Sequence, residues 1–264
     1  MRDTVASAPQ PLAIVDGWPV NLASLHEAVS SILQAAARKE SFAVFTLNLD
    51  HLDKLRRLPR FRHAYAKARF ITADGAPVAM LAARQGVHVE RTTGADLVVP
   101  IAVAAADRDV PVYLFGTTPG VLESAGRTLM QRTGSRLLIA GSEAPPQGFD
   151  PEGPEADAAL DRIAASGANL CLVALGAPKQ ELFAARAVDR NVNVGFVCIG
   201  AGLDFIAGAQ SRAPDIMQRN GLEWFWRLAT NPRRLAARYA RCALVLAEII
   251  FLSPIRSRFA RARA

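Results

Sequence analysis

Six short apolar runs, separated by stretches of helical period, constrain this chain more than any other feature. They are FAVFTLN (42–48), ARFIT (68–72), VYLFG (112–116), RLLIAG (136–141), LCLVALG (170–176) and VGFVCIG (194–200). Several place apolar residues at consecutive positions, the signature of a strand covered on both faces. Helical patterns lie near 23–37, 50–67, 77–86, 95–106, 118–132, 153–166 and 178–190. Pro77, Pro119 and Pro178 each stand where a first helical residue would. This alternation predicts an α/β fold with a mostly parallel sheet. The proline-rich stretch SEAPPQGFDPEGPE (142–155) is the clearest loop and is not read as a domain boundary.

A chain of 264 residues can bury a large core. Cys171, Cys198 and Cys242 are too few and too scattered for a disulfide framework or a zinc site, so reduced, buried thiols are expected. The first residues lack an apolar run of signal-peptide length, and no stretch reaches the ~20 apolar residues that span a bilayer. The net charge of +7 is concentrated at one end. Residues 225–264 hold nine arginines (227, 233, 234, 238, 241, 256, 258, 261 and 263) and one acid, Glu248, a net of +8 that leaves the rest at −1. The expected organisation is therefore a Rossmann-like domain over 1–220, with helices on both faces of its sheet, and a basic helical appendage over 221–264.

In open α/β sheets, ligands bind beyond the carboxyl ends of the strands, where loops lead into helix N-termini. The polar residues following the six runs should therefore converge. They are Thr46 and Asn48; Asp74 and Gly75; Gly116, Thr117 and Thr118; Gly141 and Ser142; Gly176 to Glu181; and Gly200 to Asp204. Glycine- and threonine-rich turns offer backbone N–H groups suited to a diphosphate. A dinucleotide site would need G-x-G-x-x-G, and GAGLDF (200–205) supplies only the first two glycines. P-loop, H-E-x-x-H and G-x-S-x-G motifs are absent from the sequence, and His26, His51, His63 and His88 show no ligand spacing. No metal and no cofactor is expected.

Asp74 has two readings, a helix cap or a general base. Pro77 places the helix start two or three residues later, leaving Asp74 short of the capping position. A carboxylate there could take the proton of an attacking hydroxyl. Thr46 and Asn48 are turn residues or substrate hydrogen bonders by the same logic. In GAPKQELF (176–183), Glu181 suits the positive end of a helix, whereas Gln180 offers a donor and an acceptor to a nucleobase edge or sugar hydroxyl.

Several strings together resemble the WecG/TagA/CpsF glycosyltransferases (glycosyltransferase family 26). They are TLNLDHL (46–52), ADG (73–75), RTTGADL (91–97), VYLFGTTPG (112–120), LGAPKQE (175–181), GAGLDFIAG (200–208), RAP (212–214) and GLEWFWRLATNPRRLAARY (221–239), covering most of residues 40–240. The resemblance implies inverting, metal-independent transfer of a hexose-type sugar. The donor would be a UDP-sugar and the acceptor a polyprenyl-diphosphate-linked saccharide on the cytoplasmic leaflet. It implies that Asp74 is the base, with Thr46 and Asn48 on the acceptor side, Arg91 near diphosphate charge and Gln180 near the nucleotide. Asp204 and Arg212 fall on further motif positions. Gly75-Ala76-Pro77 departs from the G-x-G form of many members, which bears on the loop after Asp74.

The segment Gly221–Leu252 combines Trp224, Phe225 and Trp226 with Arg233, Arg234 and Arg238 and the apolar run CALVLAEIIFL (242–252). Such a helix can lie in the interface of an anionic membrane. It can also pack on the body or on a partner subunit, and a homo-oligomer stays open. No nucleic-acid motif accompanies the charge. A tail that closes over the site on docking would add its arginines there. The competing functions are a nucleotide-dependent oxidoreductase and a non-catalytic nucleotide-sugar or lipid-binding module.

Overall fold

The computed structural model describes residues 8–214, 216–217, 221, 223–230 and 232–251. A two-stranded antiparallel hairpin opens the chain, β1 (Ala13–Val15) and β2 (Trp18–Val20), joined through Asp16 and Gly17 at φ +51° and +83°. It lies outside the predicted elements, although an Asp-Gly pair between apolar residues is a hairpin signal.

Helix α1 (Leu25–Ala37) leads into β3 (Phe42–Leu47), the first strand of the main sheet. The others are β4 (Ala68–Ala73), β5 (Val112–Gly116), β6 (Ile139–Glu143), β7 (Leu170–Ala174) and β8 (Gly195–Cys198). Their order is β4-β3-β8-β7-β5-β6 and every pairing is parallel, as the apolar runs predict. All residues of β3, β5, β7 and β8 are buried. Strand β6 starts later than RLLIAG and runs into the predicted loop, because pairing with β5 from Val112–Ile139 to Phe115–Glu143 sets its limits at the sheet edge.

Seven further helices connect these strands: α2 (Leu49–Arg57), α3 (Pro59–Ala66), α4 (Ala76–Ala83), α5 (Gly94–Ala106), α6 (Pro119–Arg132), α7 (Pro154–Ala165) and α8 (Lys179–Asp189). The helix expected over 50–67 is two, since Leu58, preceding Pro59, is extended at φ −111°, ψ +103°. Pro178 is the cap before α8 rather than its first residue. Alternate side chains of each strand enter opposite cores. Phe45, Leu47, Phe115 and Phe196 meet α2, α3, α4, α7 and α8, while Val44, Leu114, Leu172 and Val197 meet α1, α5 and α6. Cys171, Cys198 and Cys242 are free and buried, as expected.

Past β8 lie α9 (Gly202–Ile206), α10 (Glu223–Thr230) and α11 (Pro232–Phe251). Helix α11 lies against α2: Arg241 Nε sits 3.3 Å from Asp53 Oδ2, and Arg56 Nη1 donates to Glu248 Oε2 at 2.7 Å. Val245 joins the core beneath, flanked by Leu246, Ile249 and Ile250. Among the described residues no helix is long and apolar enough to cross a membrane.

Gly94 marks where α5 meets the end of β8. A Cβ there would stand 2.7 Å from Ile199 Cα and 2.9 Å from Cys198 O, both backbone. Gly94→Ala should therefore cost about 2 kcal/mol in urea unfolding, the usual scale for overpacking; unchanged stability would show that the contact can yield.

Candidate active site

A parallel sheet delivers the carboxyl ends of all six strands to one edge; of the predicted turn residues, Gly141 and Ser142 lie instead inside β6, paired with Tyr113 and Leu114. Strand pairing continues just past β3 and β4, where Asp74 N donates to Leu47 O at 2.8 Å. That bond sets Asp74 beside the residues ending β3. Thr46 Oγ1 donates to Asp74 Oδ2 at 3.2 Å and Asn48 Nδ2 donates to the same oxygen at 3.0 Å. Asn48 is also the N-cap of α2, its Oδ1 accepting from His51 N at 2.9 Å. The cap fixes which side of the amide faces Asp74. Gly75, at φ +95°, and not Asp74, stands at the N-cap of α4. Asp74 is half-buried, and its Oδ2 is oriented by the Thr46 and Asn48 donors.

A charged group adjoins this cluster. Arg91 forms a bridge with Ala73, next to Asp74, and Thr92 N donates to Ala73 O at 2.8 Å. Arg91 Nη1 donates to Glu223 Oε2 at 2.8 Å, and Arg212 Nε donates to Glu223 Oε1 at 3.1 Å. Arg212 Nη2 reaches Asp96 Oδ1 at 2.6 Å. Asp96 closes a capping box with Thr93 at the start of α5. Burial pushes Asp96 upward, but the Thr93 N–H and the Arg212 guanidinium outweigh it and hold the carboxyl below its ordinary range. Two arginines and two carboxylates thus stand together beside Asp74.

Across the sheet edge, Thr117 Oγ1 donates to Asp204 Oδ1 at 3.2 Å. Thr117 has φ +48° and follows Gly116, whose Cβ would lie 2.4 Å from Ala174 O. These two positions build a tight turn against β7.

Residues 13–261 match the sequence model of the Glycosyl transferase WecG/TagA/CpsF family. The chain belongs to that family. It is a glycosyltransferase of cell-surface glycan synthesis, using a nucleotide-sugar donor and a glycan acceptor. This decides for sugar transfer against hydride transfer.

Two of the predicted site residues of the glycosyltransferase are buried. Gln180 is 3% exposed and Glu181 fully buried. Gln180 Nε2 donates to Glu181 Oε1 at 2.7 Å, and its Oε1 accepts from Gly200 N at 3.0 Å. The Gln180 amide therefore holds the turn after β8, and Glu181 sits behind it. Beyond them lies His51, whose Nδ1 is 2.6 Å from the Tyr65 hydroxyl and whose Nε2 is 3.7 Å from Glu181 Oε1.

Asp96 and Glu223 pair with Arg91 and Arg212, His51 and Tyr65 lie behind Gln180 and Glu181, and none of the four was singled out from the sequence. Asp96 had a signal in the T-G-x-D capping pattern. Glu223 stands inside GLEWFW with nothing local to mark it. In the appendage, Arg238 Nε lies 3.7 Å from Asp50 Oδ1, so this arginine faces the body, while Arg233 is exposed. Trp224 stacks edge-on against Phe225 and is 45% exposed; Trp226 is half-buried. The side chain of Arg234 lies outside the described residues.

Burial pushes Glu181 up to about 7, against the ordinary 4.5 of an unfolded chain, and pushes His51 down to about 3. A folded-state value above the unfolded one stabilises the protein below pH 4.5, and that contribution is lost as pH rises to about 7. His51 acts in the opposite sense over the acid range, so comparison with a variant is needed to isolate Glu181. Relative to wild type, Glu181→Gln should gain about 3 kcal/mol in urea unfolding between pH 4.5 and pH 8; an unchanged difference would show that Glu181 ionises normally.

Proposed function

We propose that this protein is an inverting, metal-independent glycosyltransferase. It moves a hexose-type sugar from a UDP-sugar to a polyprenyl-diphosphate-linked saccharide, in exopolysaccharide, enterobacterial-antigen-like or teichoic-acid-like glycan assembly. The observation that carries the reading is the Asp74 carboxylate, held by Thr46 and Asn48 at the carboxyl ends of β3 and β4. Asp74 takes the proton of the acceptor hydroxyl as its oxygen bonds to the anomeric carbon. The bond from that carbon to the diphosphate breaks, and UDP leaves with the electron pair from the opposite face. One displacement inverts the centre. Arg91 and Arg212 balance the charge that develops on the diphosphate, which competes with Glu223 for their guanidinium groups. The Gly116–Thr117 turn and the Gly200–Asp204 turn line the donor side.

Residues 1–220 are the catalytic α/β domain and 221–264 the appendage that brings it to the inner face of the cell membrane. The appendage packs one face on α2 and leaves Trp224, Phe225, Leu244 and Phe251 about half to two-thirds exposed, and Arg233 is exposed as well. Apolar side chains and cations on one surface favour an anionic lipid interface.

Asp74→Asn keeps both hydrogen-bonding neighbours but cannot accept a proton. In a screen of UDP-sugars with a polyprenyl-diphosphate-linked sugar, it should lower kcat by about 10²–10⁴-fold while UDP binding by calorimetry persists. Full activity in the variant would remove Asp74 from the chemistry. A wild-type protein that binds UDP and transfers nothing would point to a non-catalytic module.

Vesicle co-sedimentation tests the appendage. Wild type should bind vesicles containing anionic phospholipid, and a Trp224→Ser/Phe225→Ser variant should bind them about tenfold more weakly. Equal binding by the two, or no binding by either, would contradict membrane docking through this surface.

A further inference from the structure

A buried polar chain runs beneath the site from one side to the other, and the transfer reaction as described leaves it without a task. It begins at Asp74, held by Asn48 Nδ2 at 3.0 Å. Asn48 Oδ1 accepts from His51 N at 2.9 Å, and the His51 ring faces Tyr65 and Glu181. Glu181 Oε1 accepts from Gln180 Nε2 at 2.7 Å, and Gln180 Oε1 accepts from Gly200 N at 3.0 Å. Hydrogen bonds thus join Asp74 to α2 and Glu181 to the turn after β8, and the two halves meet where His51 Nε2 packs 3.7 Å from Glu181 Oε1.

Its protonation follows from the geometry. Glu181 is fully buried, and its Oε2 has no hydrogen-bond partner among the described residues. An ionised oxygen in that position would carry its desolvation cost with no hydrogen bond to offset it. His51 does not supply the missing charge. Its ring is buried, and Nδ1 lies 2.6 Å from the Tyr65 hydroxyl, which burial keeps protonated. The groups facing Glu181 are His51, Asp50 and Lys54 from α2, Tyr65 from α3 and Cys198 from β8. Asp50 and Lys54 pair with each other.

We infer that Glu181 is a positioning residue that works as a neutral carboxylic acid, keeping Gln180, the Gly200 turn and the His51–Asn48–Asp74 side in one fixed arrangement. On ionisation it places a negative charge behind a base and a departing diphosphate that are both negative, and it draws His51 or water toward itself. Transfer is then lost although Asp74 remains intact. The inference rests on the transferase reading for its kinetic part and on the fold alone for its charge state.

Two measurements test it. The full-length protein carrying ¹³C at glutamate carboxyls should show one Cδ resonance still in its protonated position at pH 6, titrating near neutrality. That readout needs neither turnover nor a variant. If every glutamate is already ionised at pH 6, the inference is overturned even where transfer is active. The second is kcat against pH under saturating substrates. Wild type should fall about tenfold between pH 6 and pH 8, with KM for the donor changing less than twofold. Glu181→Gln, neutral at every pH, should lose that alkaline fall whatever its absolute rate. A wild type that does not fall, or a variant that keeps the fall, would overturn the positioning role. Absence of transfer with any donor defeats the proposed function and leaves the resonance to decide the charge state.

Discussion

The pairing of β3 with β4 governs the site. Strand β3 is buried at all six positions, so its register is set by packing on both faces and cannot slip by one residue without exchanging Phe45 and Val44 between the two cores. That register places Leu47 opposite Ala73 and lets Asp74 N bond to Leu47 O. The carboxylate is thereby delivered to Thr46 and Asn48 without any dedicated loop. Asn48 serves two purposes at once, closing the first turn of α2 and holding the Asp74 carboxylate. The chemistry and the stability of this corner are therefore carried by the same bonds.

Charge balance is the second theme. Arg91 and Arg212 would be costly as unpaired cations in a half-buried cleft, and Asp96 and Glu223 supply the counter-charge. Asp96 belongs to the body through its capping box, whereas Glu223 belongs to the appendage. The appendage is thus tied to the site through a carboxylate and to α2 through Asp53 and Glu248. Gly221 reinforces this, since a Cβ there would lie 2.8 Å from Ala76, next to the Asp74 loop.

Much of this was legible in the sequence because the responsible forces are local. Consecutive apolar residues such as FAVF and LCLV announce doubly covered strands, and the turns after them are placed by the parallel topology. The family strings named Asp74, Thr46, Asn48 and Arg91, and the structure brings the first three into direct contact. What escaped depends on long-range contact. Gln180 looks like a ligand-binding amide in its own helical turn, and only the approach of Gly200 turns it inward. Glu181 looks like a helix-end carboxylate until Tyr65 and His51 are seen to enclose it. Glu223 acquires a partner 132 positions away. No pattern of neighbouring residues encodes such meetings.

The central claim is that one oriented carboxylate, Asp74, drives a direct displacement at the anomeric carbon. Stereochemistry tests it without any variant. Proton NMR of the transfer product, formed from an α-linked UDP-sugar before any anomeric equilibration, should show the new glycosidic bond in the β configuration. An α-linked product would contradict the account, because retention needs two displacements or departure and attack on the same face, neither of which a single base opposite the leaving group supplies.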